Sequence, residues 1–212
     1  MGIREALTGS NPSSVSSALR RRRHEHMVAV FPGLEDMRVL DLGGRPSSWW
    51  GLEVLPAQVV CLNLEVHEPT PEGPVVTVQG DACDADSGRR LGRVDLIYSN
   101  WTIEHVGGHA RRWQFAHIVT STADRYWVQT PNRYFPVEPH TVFPGFQFLP
   151  VRARRHVAER WPLSPLGGDQ DLTEEILGID LLSATELHHY FPDAAIWRER
   201  VAGLTKSLVA LR

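Results

Sequence analysis

Three side chains able to handle protons stand out. Glu138 and His140 flank Pro139 in the segment FPVEPH, and His105 closes the segment TIEH. Histidine titrates near neutral pH, and a carboxylate nearby in the chain can orient its ring. Glu138 and His140 therefore read as a general base and its orienter, with His105 a second base candidate. The same pair could equally tie a loop down. With His105 it could also hold a metal ion, although the spacing matches no recognised ligand pattern and no metal is expected. His105 reads equally as a structural histidine bonded to backbone in a tight turn. A second group is suited to binding rather than catalysis. Asp41 precedes Gly43-Gly44 in the run Met37 to Ser47, MRVLDLGGRPS. A carboxylate there can hold an ammonium or a hydroxyl, and paired glycines let the backbone come close to a ligand.

These residues need strands to hold them. Arg38-Val39-Leu40, closed by Asp41 and Leu42, reads as a buried strand entering the glycine turn, and Ser48 to Leu55 as a short apolar helix. Gln58 to Leu64 is a continuous apolar run of strand length, as expected for a strand buried on both faces. Val75 to Gln79, Val94 to Ser99 and Tyr126 to Gln129 read as three further strands, and His109 to Thr122 as a helix. Alternating strands and helical connections predict a parallel sheet with helices on both faces, where ligands bind beyond the carboxyl ends of the strands. The polar clusters fall at those ends: Asp41, Asn63 with Glu65, Asp81, Asn100 and Asn132.

The flanking segments divide similarly. Residues 1–33 read as a loose arm followed by a helix capped at Ser13 or Ser14 and running to about Phe31. Residues 131–171, rich in proline and aromatics, read as a lid or acceptor-binding insertion with a helix near Arg152 to Trp161. Helical pieces follow near Thr173 to Leu177 and Ser183 to Tyr190, the latter with a Ser183/Glu186 capping box. Ala195 to Val201 and Ser207 to Leu211 read as an antiparallel pair of strands.

The 212 residues suit one domain, and a formal net charge of −3 offers no basic field for nucleic acid. Cys61 and Cys83 have no metal or redox spacing. The N-terminus lacks the apolar core of a signal peptide and no run could span a bilayer, so a cytoplasmic location is expected. Arg20 to Arg23 read as a solvated helix face, or as a contact for an anionic substrate or a membrane surface. Phe135, Phe143, Phe146, Phe148 and Leu149 give the lid an apolar surface. It could be loop core, the wall of a pocket for an apolar acceptor, or a patch for peripheral membrane contact.

The run MRVLDLGGRPS resembles the first motif of class I S-adenosylmethionine (SAM) dependent methyltransferases, in particular small methyltransferase domains of the type 11 kind. Arg45 and Ser47 stand where that family usually has further glycines. Asn63, with Leu64 and Glu65, stands where it usually places an acid for the ribose hydroxyls. Asp81, in Gly80-Asp81-Ala82, matches its adenine-amino acceptor. Ser99 to Gly107, with Asn100 and Trp101, is similar to the segment lining the methionine end of the cofactor. The resemblance covers roughly residues 35–212. It implies a single Rossmann-like α/β domain, a three-layer sandwich around a mostly parallel seven-stranded sheet whose last strand is antiparallel. It implies SAM as cofactor and methyl transfer to oxygen or nitrogen of a small-molecule or lipid-linked acceptor. The alternative is a catalytically inactive, methyltransferase-like binding or scaffold protein. A nicotinamide oxidoreductase is disfavoured because the full G-x-G-x-x-G fingerprint and a Tyr-x-x-x-Lys pair are both missing.

Overall fold

The computed structural model describes residues 15–65, 73–164, 166 and 171–212. The expected N-terminal arm, part of the connection after Glu65 and part of the linker before Asp171 lie outside the described residues.

A seven-stranded sheet organises the chain. Its strands are β1 (Arg38–Leu42), β2 (Gln58–Asn63), β3 (Val75–Gln79), β4 (Leu96–Asn100), β5 (Tyr126–Pro131), β8 (Ala195–Val201) and β9 (Leu204–Leu211), in the spatial order β3-β2-β1-β4-β5-β9-β8. The first five run parallel. β9 is antiparallel to β5 and to β8. The direction of the order reverses beside β1, which makes a crevice at the carboxyl ends of β1 and β4.

The helices are α1 (Val15–Val30), α2 (Ala85–Arg90), α3 (His109–Thr122), α4 (Val151–Arg160), α5 (Leu172–Gly178) and α6 (Ala184–Tyr190). One sheet face packs Leu40, Ile97, Tyr126 and Val128 against Phe115 and Val119 of α3 and Leu187 of α6. The other packs Val39, Cys61, Leu96 and Trp127 against Met27 of α1 and the nearby Phe31. Full burial of such side chains contributes about 1.5–3 kcal/mol each. Strand alternation sends every second residue to the α1 face. The register Cys61–Asp41–Tyr98–Trp127 therefore forms one row across that face, with Asn63, Asn100 and Gln129 one step further toward the carboxyl ends.

Most expected elements appear within a residue or two. The Ser183/Glu186 capping box forms, with the Ser183 amide donating to Glu186 Oε2 at 2.7 Å and the Glu186 amide to Ser183 Oγ at 3.2 Å. The expected helix over Ser48 to Leu55 does not. A 3-10 turn, Pro46–Trp49, stands in its place and ends before Gly51, whose φ is +71°. Trp49 is held inward by a buried hydrogen bond, which stops the chain extending as an amphipathic helix. The insertion also has more order than its sequence suggests. Val137–Glu138 (β6) and Phe143–Pro144 (β7) pair as a short hairpin, and Phe146, Ala158 and Ile176 form a small core joining α4 and α5.

Candidate active site

The glycine turn after β1 is fastened from several sides. Gly43 has φ +77°, and a Cβ there would lie 2.3 Å from Thr102 Oγ1. A Cβ on Gly44 would lie 1.8 Å from Asp41 Oδ2, so both positions exclude larger residues. The Asn63 side-chain amide donates to the carbonyls of Gly43 and Gly44 at 3.1 and 3.2 Å. Ser99 Oγ and Thr102 Oγ1 both donate to the Leu42 carbonyl, tying the end of β4 to the end of β1.

Asp41 differs from its expected place. It is 1 % exposed, lies beneath Gly44 and accepts a hydrogen bond from Trp49 Nε1 at 2.8 Å. Burial raises its pKa to about 7, against a smaller opposing effect of the Trp49 bond. Its Oδ1 is buried without a hydrogen-bond partner. The carboxylate thus supports the turn from below instead of standing open beside it. Asn63 is likewise occupied, its amide holding the turn rather than projecting toward a hydroxyl. Leu64 and Glu65 are exposed just past the end of β2.

Asp81 follows β3 as expected but is already engaged. Arg111 Nη2, on α3, reaches both of its oxygens at 2.9 Å, and the Cys83 amide donates to Oδ1 at 2.8 Å. An acceptor free for an adenine amino group is therefore not what the sequence position delivers; Arg111 would have to give way or share it. Ala82 packs into the core beside it. At the end of β4, Asn100 Oδ1 is buried without a partner. Trp101 has φ +61°, a left-handed conformation costly for a side-chain-bearing residue.

The three proton-handling residues do come together. Glu138 Oε1 lies 2.6 Å from His140 Nδ1, and His140 Nε2 lies 3.1 Å from His105 Nε2. Glu138 is buried, and its other oxygen accepts the Thr141 amide and hydroxyl at 2.7 and 2.9 Å. Burial would raise its pKa, but the bonds from His140 and Thr141 outweigh it and hold the carboxyl below its ordinary value. His105 keeps an exposed edge. Desolvation of its ring, then the neighbouring His140, draws its pKa down to about 4, so it is neutral at physiological pH. The Trp101 ring lies 5.2 Å from that of His140.

Two features were not read from the sequence. Glu104, beside His105, is 1 % exposed; its Oε2 accepts the Thr130 hydroxyl at 3.0 Å and its Oε1 has no partner. Its position next to a candidate base was the available signal. A cavity of about 780 Å³ also opens on the α1 face. Trp49, Trp127, Phe135 and Trp161 line it with apolar surface, Arg20, Arg23 and Lys206 supply positive charge, and Asn100, Trp101 and His140 bound it near the strand ends. Its lining does not include the glycine turn or Asp81. The sequence offered the insertion's aromatics as a pocket wall and Arg20 to Arg23 as an anion contact, and Phe135, Arg20 and Arg23 line this space, but it carried no signal that the N-terminal helix, the sheet and the insertion would enclose it jointly.

Comparison with known proteins agrees with this architecture. No protein-family model matches the sequence, and no curated protein matches it. Among solved structures, magnesium protoporphyrin IX methyltransferase from Synechocystis PCC 6803, with bound S-adenosylhomocysteine, is similar over 92 % of this chain and 84 % of its own, at 13 % identity and TM-score 0.54. A putative SAM-dependent methyltransferase from Listeria monocytogenes is similar over 92 % of this chain and 97 % of its own, at 11 % identity and TM-score 0.53. The small RNA methyltransferase HEN1 is similar over 90 % of this chain but 24 % of its own, at 13 % identity and TM-score 0.54. The chain has the fold of the class I SAM-dependent methyltransferases.

Proposed function

We propose that this protein is a SAM-dependent methyltransferase whose acceptor is a small, largely apolar molecule carrying an acidic group. The observation that carries the reading is what lines the cavity. Asn100 and Trp101, in the segment that resembles the family's lining of the methionine end of the cofactor, line it past the carboxyl end of β4 together with His140.

The residues present fit SAM. Asn100 Oδ1, on the cavity lining, is a buried acceptor without a donor, suited to an ammonium group. Gly43 and Gly44 present backbone at the sheet crevice, and exposed Glu65 and Leu64 are suited to ribose hydroxyls and a base face. SAM supplies a methyl group on a sulfonium, and its transfer leaves a neutral thioether. The protein's part is to align an acceptor oxygen or nitrogen and remove its proton. His140 Nε2 is placed to take that proton, with Glu138 orienting the ring and the neutral His105 beside it. The insertion, residues 131–171, closes one wall of the cavity through Phe135 and Trp161.

Charge selects the acceptor. Arg20, Arg23 and Lys206 line the cavity, and of these Arg23 pairs with the buried Glu199 carboxylate, 3.5 Å from its Nη1. The surplus favours a carboxylate or phosphate on the acceptor. A lipid-linked acceptor presenting a phosphate would satisfy the same groups, with Arg20 to Arg23 against the membrane surface. No helix among the described residues is long and apolar enough to cross a membrane. The Asp81–Arg111 pair and the engaged Asn63 favour one second reading, a methyltransferase-like binding protein without catalysis.

The test is transfer of label from methyl-radiolabelled SAM to a panel of aromatic carboxylic acids, phenolic acids and lipid phosphates, the last in detergent. Labelled product from the soluble acids supports a small-molecule acceptor, and product from the lipid phosphates alone supports the lipid-linked form. No label in any acceptor, with S-adenosylhomocysteine still bound, supports the second reading.

A further inference from the structure

The two imidazoles that meet at 3.1 Å pose a problem of lone pairs. His140 Nδ1 is bonded to the Glu138 carboxylate, so in the neutral ring its proton belongs there. The Gly178 backbone lies close enough to the His105 ring to act on it as a second acceptor. With the His105 proton on Nε2, a single N–H bridges the rings; with it on the nitrogen away from His140, two Nε2 lone pairs face each other at 3.1 Å. A cation between them removes the conflict, and the surroundings are those of a metal site. We propose that Glu104, His105 and His140 bind one divalent first-row metal ion, such as Zn²⁺.

The geometry is suitable. Two nitrogens 3.1 Å apart, each at ~2.05 Å from one ion, subtend about 98° at it, between the octahedral and tetrahedral angles. The ligand atoms of Glu104, His105 and His140 all lie within 4.8 Å of one another. Ligands of one ion at ~2.1 Å lie about 3.4 Å apart at the tetrahedral angle and about 4.2 Å apart when trans, so the widest pair has to close by up to ~1.4 Å in the first case and ~0.6 Å in the second. Glu104 contributes an independent observation: it is 1 % exposed and its Oε1 is buried without any hydrogen-bond partner. A buried carboxylate with one unpartnered oxygen, grouped with two imidazoles, is suited to be the third ligand.

The outer partners match as well. Metal-bound histidines donate their other ring N–H to a carboxylate or a backbone carbonyl, which fixes the tautomer and the ring direction. Here Glu138 serves His140, and the Gly178 backbone is near enough to serve His105. Thr141 in turn holds Glu138, and Thr130 holds the other oxygen of Glu104. Two histidines and one carboxylate leave positions for water or substrate. His140 also lines the 780 Å³ cavity, so an ion held by it stands at the cavity wall. There it would lower the pKa of a bound acceptor hydroxyl and displace His140 as the direct base. The metal site itself rests on the side-chain geometry and not on the methyltransferase reading.

The experiment is titration of the chelator-treated, full-length protein with Co²⁺, followed by its d–d absorption, and with Zn²⁺ by calorimetry. One equivalent should bind saturably. His105→Ala and His140→Ala should each weaken binding more than tenfold, and Glu138→Gln by about 10–100-fold. His109→Ala, a histidine bonded to Tyr190 outside the cluster, should leave it unchanged. Absence of saturable uptake by the wild-type protein overturns the site, with no variant needed. Uptake that survives in both His105→Ala and His140→Ala overturns it too. S-adenosylhomocysteine binding measured on the same samples reports the methyltransferase reading separately.

Discussion

Asp41 makes the stability of this protein fall as the pH rises, and Asp41→Asn should remove that dependence. Its ordinary pKa of 3.8 is raised to about 7 by burial beneath Gly44. Between those values the folded protein keeps a proton that the unfolded chain releases. The contribution is fully present below about pH 4 and is lost as the pH rises through 7. From pH 5 to pH 8 it spans about two units of effective difference, or roughly 3 kcal/mol at 1.36 kcal/mol per unit. Asn cannot titrate, yet its carbonyl can still accept the Trp49 Nε1 bond. Urea denaturation of both proteins from pH 5 to pH 8 measures the effect. With an m-value of ~2 kcal/mol/M, the wild-type midpoint should fall by about 1.5 M relative to Asp41→Asn across that range. A difference between the two proteins that stays constant, or that grows in favour of the wild type with rising pH, refutes the assignment.

The remaining predictions concern the turn and the cavity. Gly44→Ala should leave little folded protein or lower its unfolding free energy by more than 3 kcal/mol, since its Cβ meets the Asp41 carboxylate at 1.8 Å; Gly108→Ala, with nothing within 4 Å, should behave as wild type in the same melt. His105→Ala and His140→Ala should each keep S-adenosylhomocysteine affinity while lowering turnover about 10²-fold or more in the radiolabel assay. Unchanged turnover in both removes histidine from the mechanism. Trp101→Gly relieves the left-handed strain at φ +61°, so its stability should stay within about 1 kcal/mol of wild type while acceptor KM rises at least tenfold.

The sheet was legible because its strands are near-continuous apolar runs bounded by polar residues and turns. Gln58–Asn63 and Tyr126–Pro131 are the clearest cases, and the Ser183/Glu186 box announced its helix. The turn after β1 was legible for the same reason. What followed it was not: Trp49 looked like one face of a helix, but its indole N–H satisfies a buried carboxylate, an attraction that spacing does not reveal. The site shows the same division. Glu138 and His140 were paired by proximity in sequence, and they are bonded. Their meeting with His105, 35 residues away, depends on the hairpin that returns over the end of β4. The engagement of Asp81 by Arg111, 30 residues on, is long-range and had no local signal. Nor did the cavity, which α1, the sheet and the insertion build jointly.

The most direct test of the account is calorimetric titration of the wild-type protein with S-adenosylhomocysteine, with NADH as the control ligand. The account predicts one site with Kd on the order of micromolar, about −8 kcal/mol, and at least a hundredfold weaker NADH binding. No binding of S-adenosylhomocysteine, or binding of NADH as tight as that of S-adenosylhomocysteine, would contradict it.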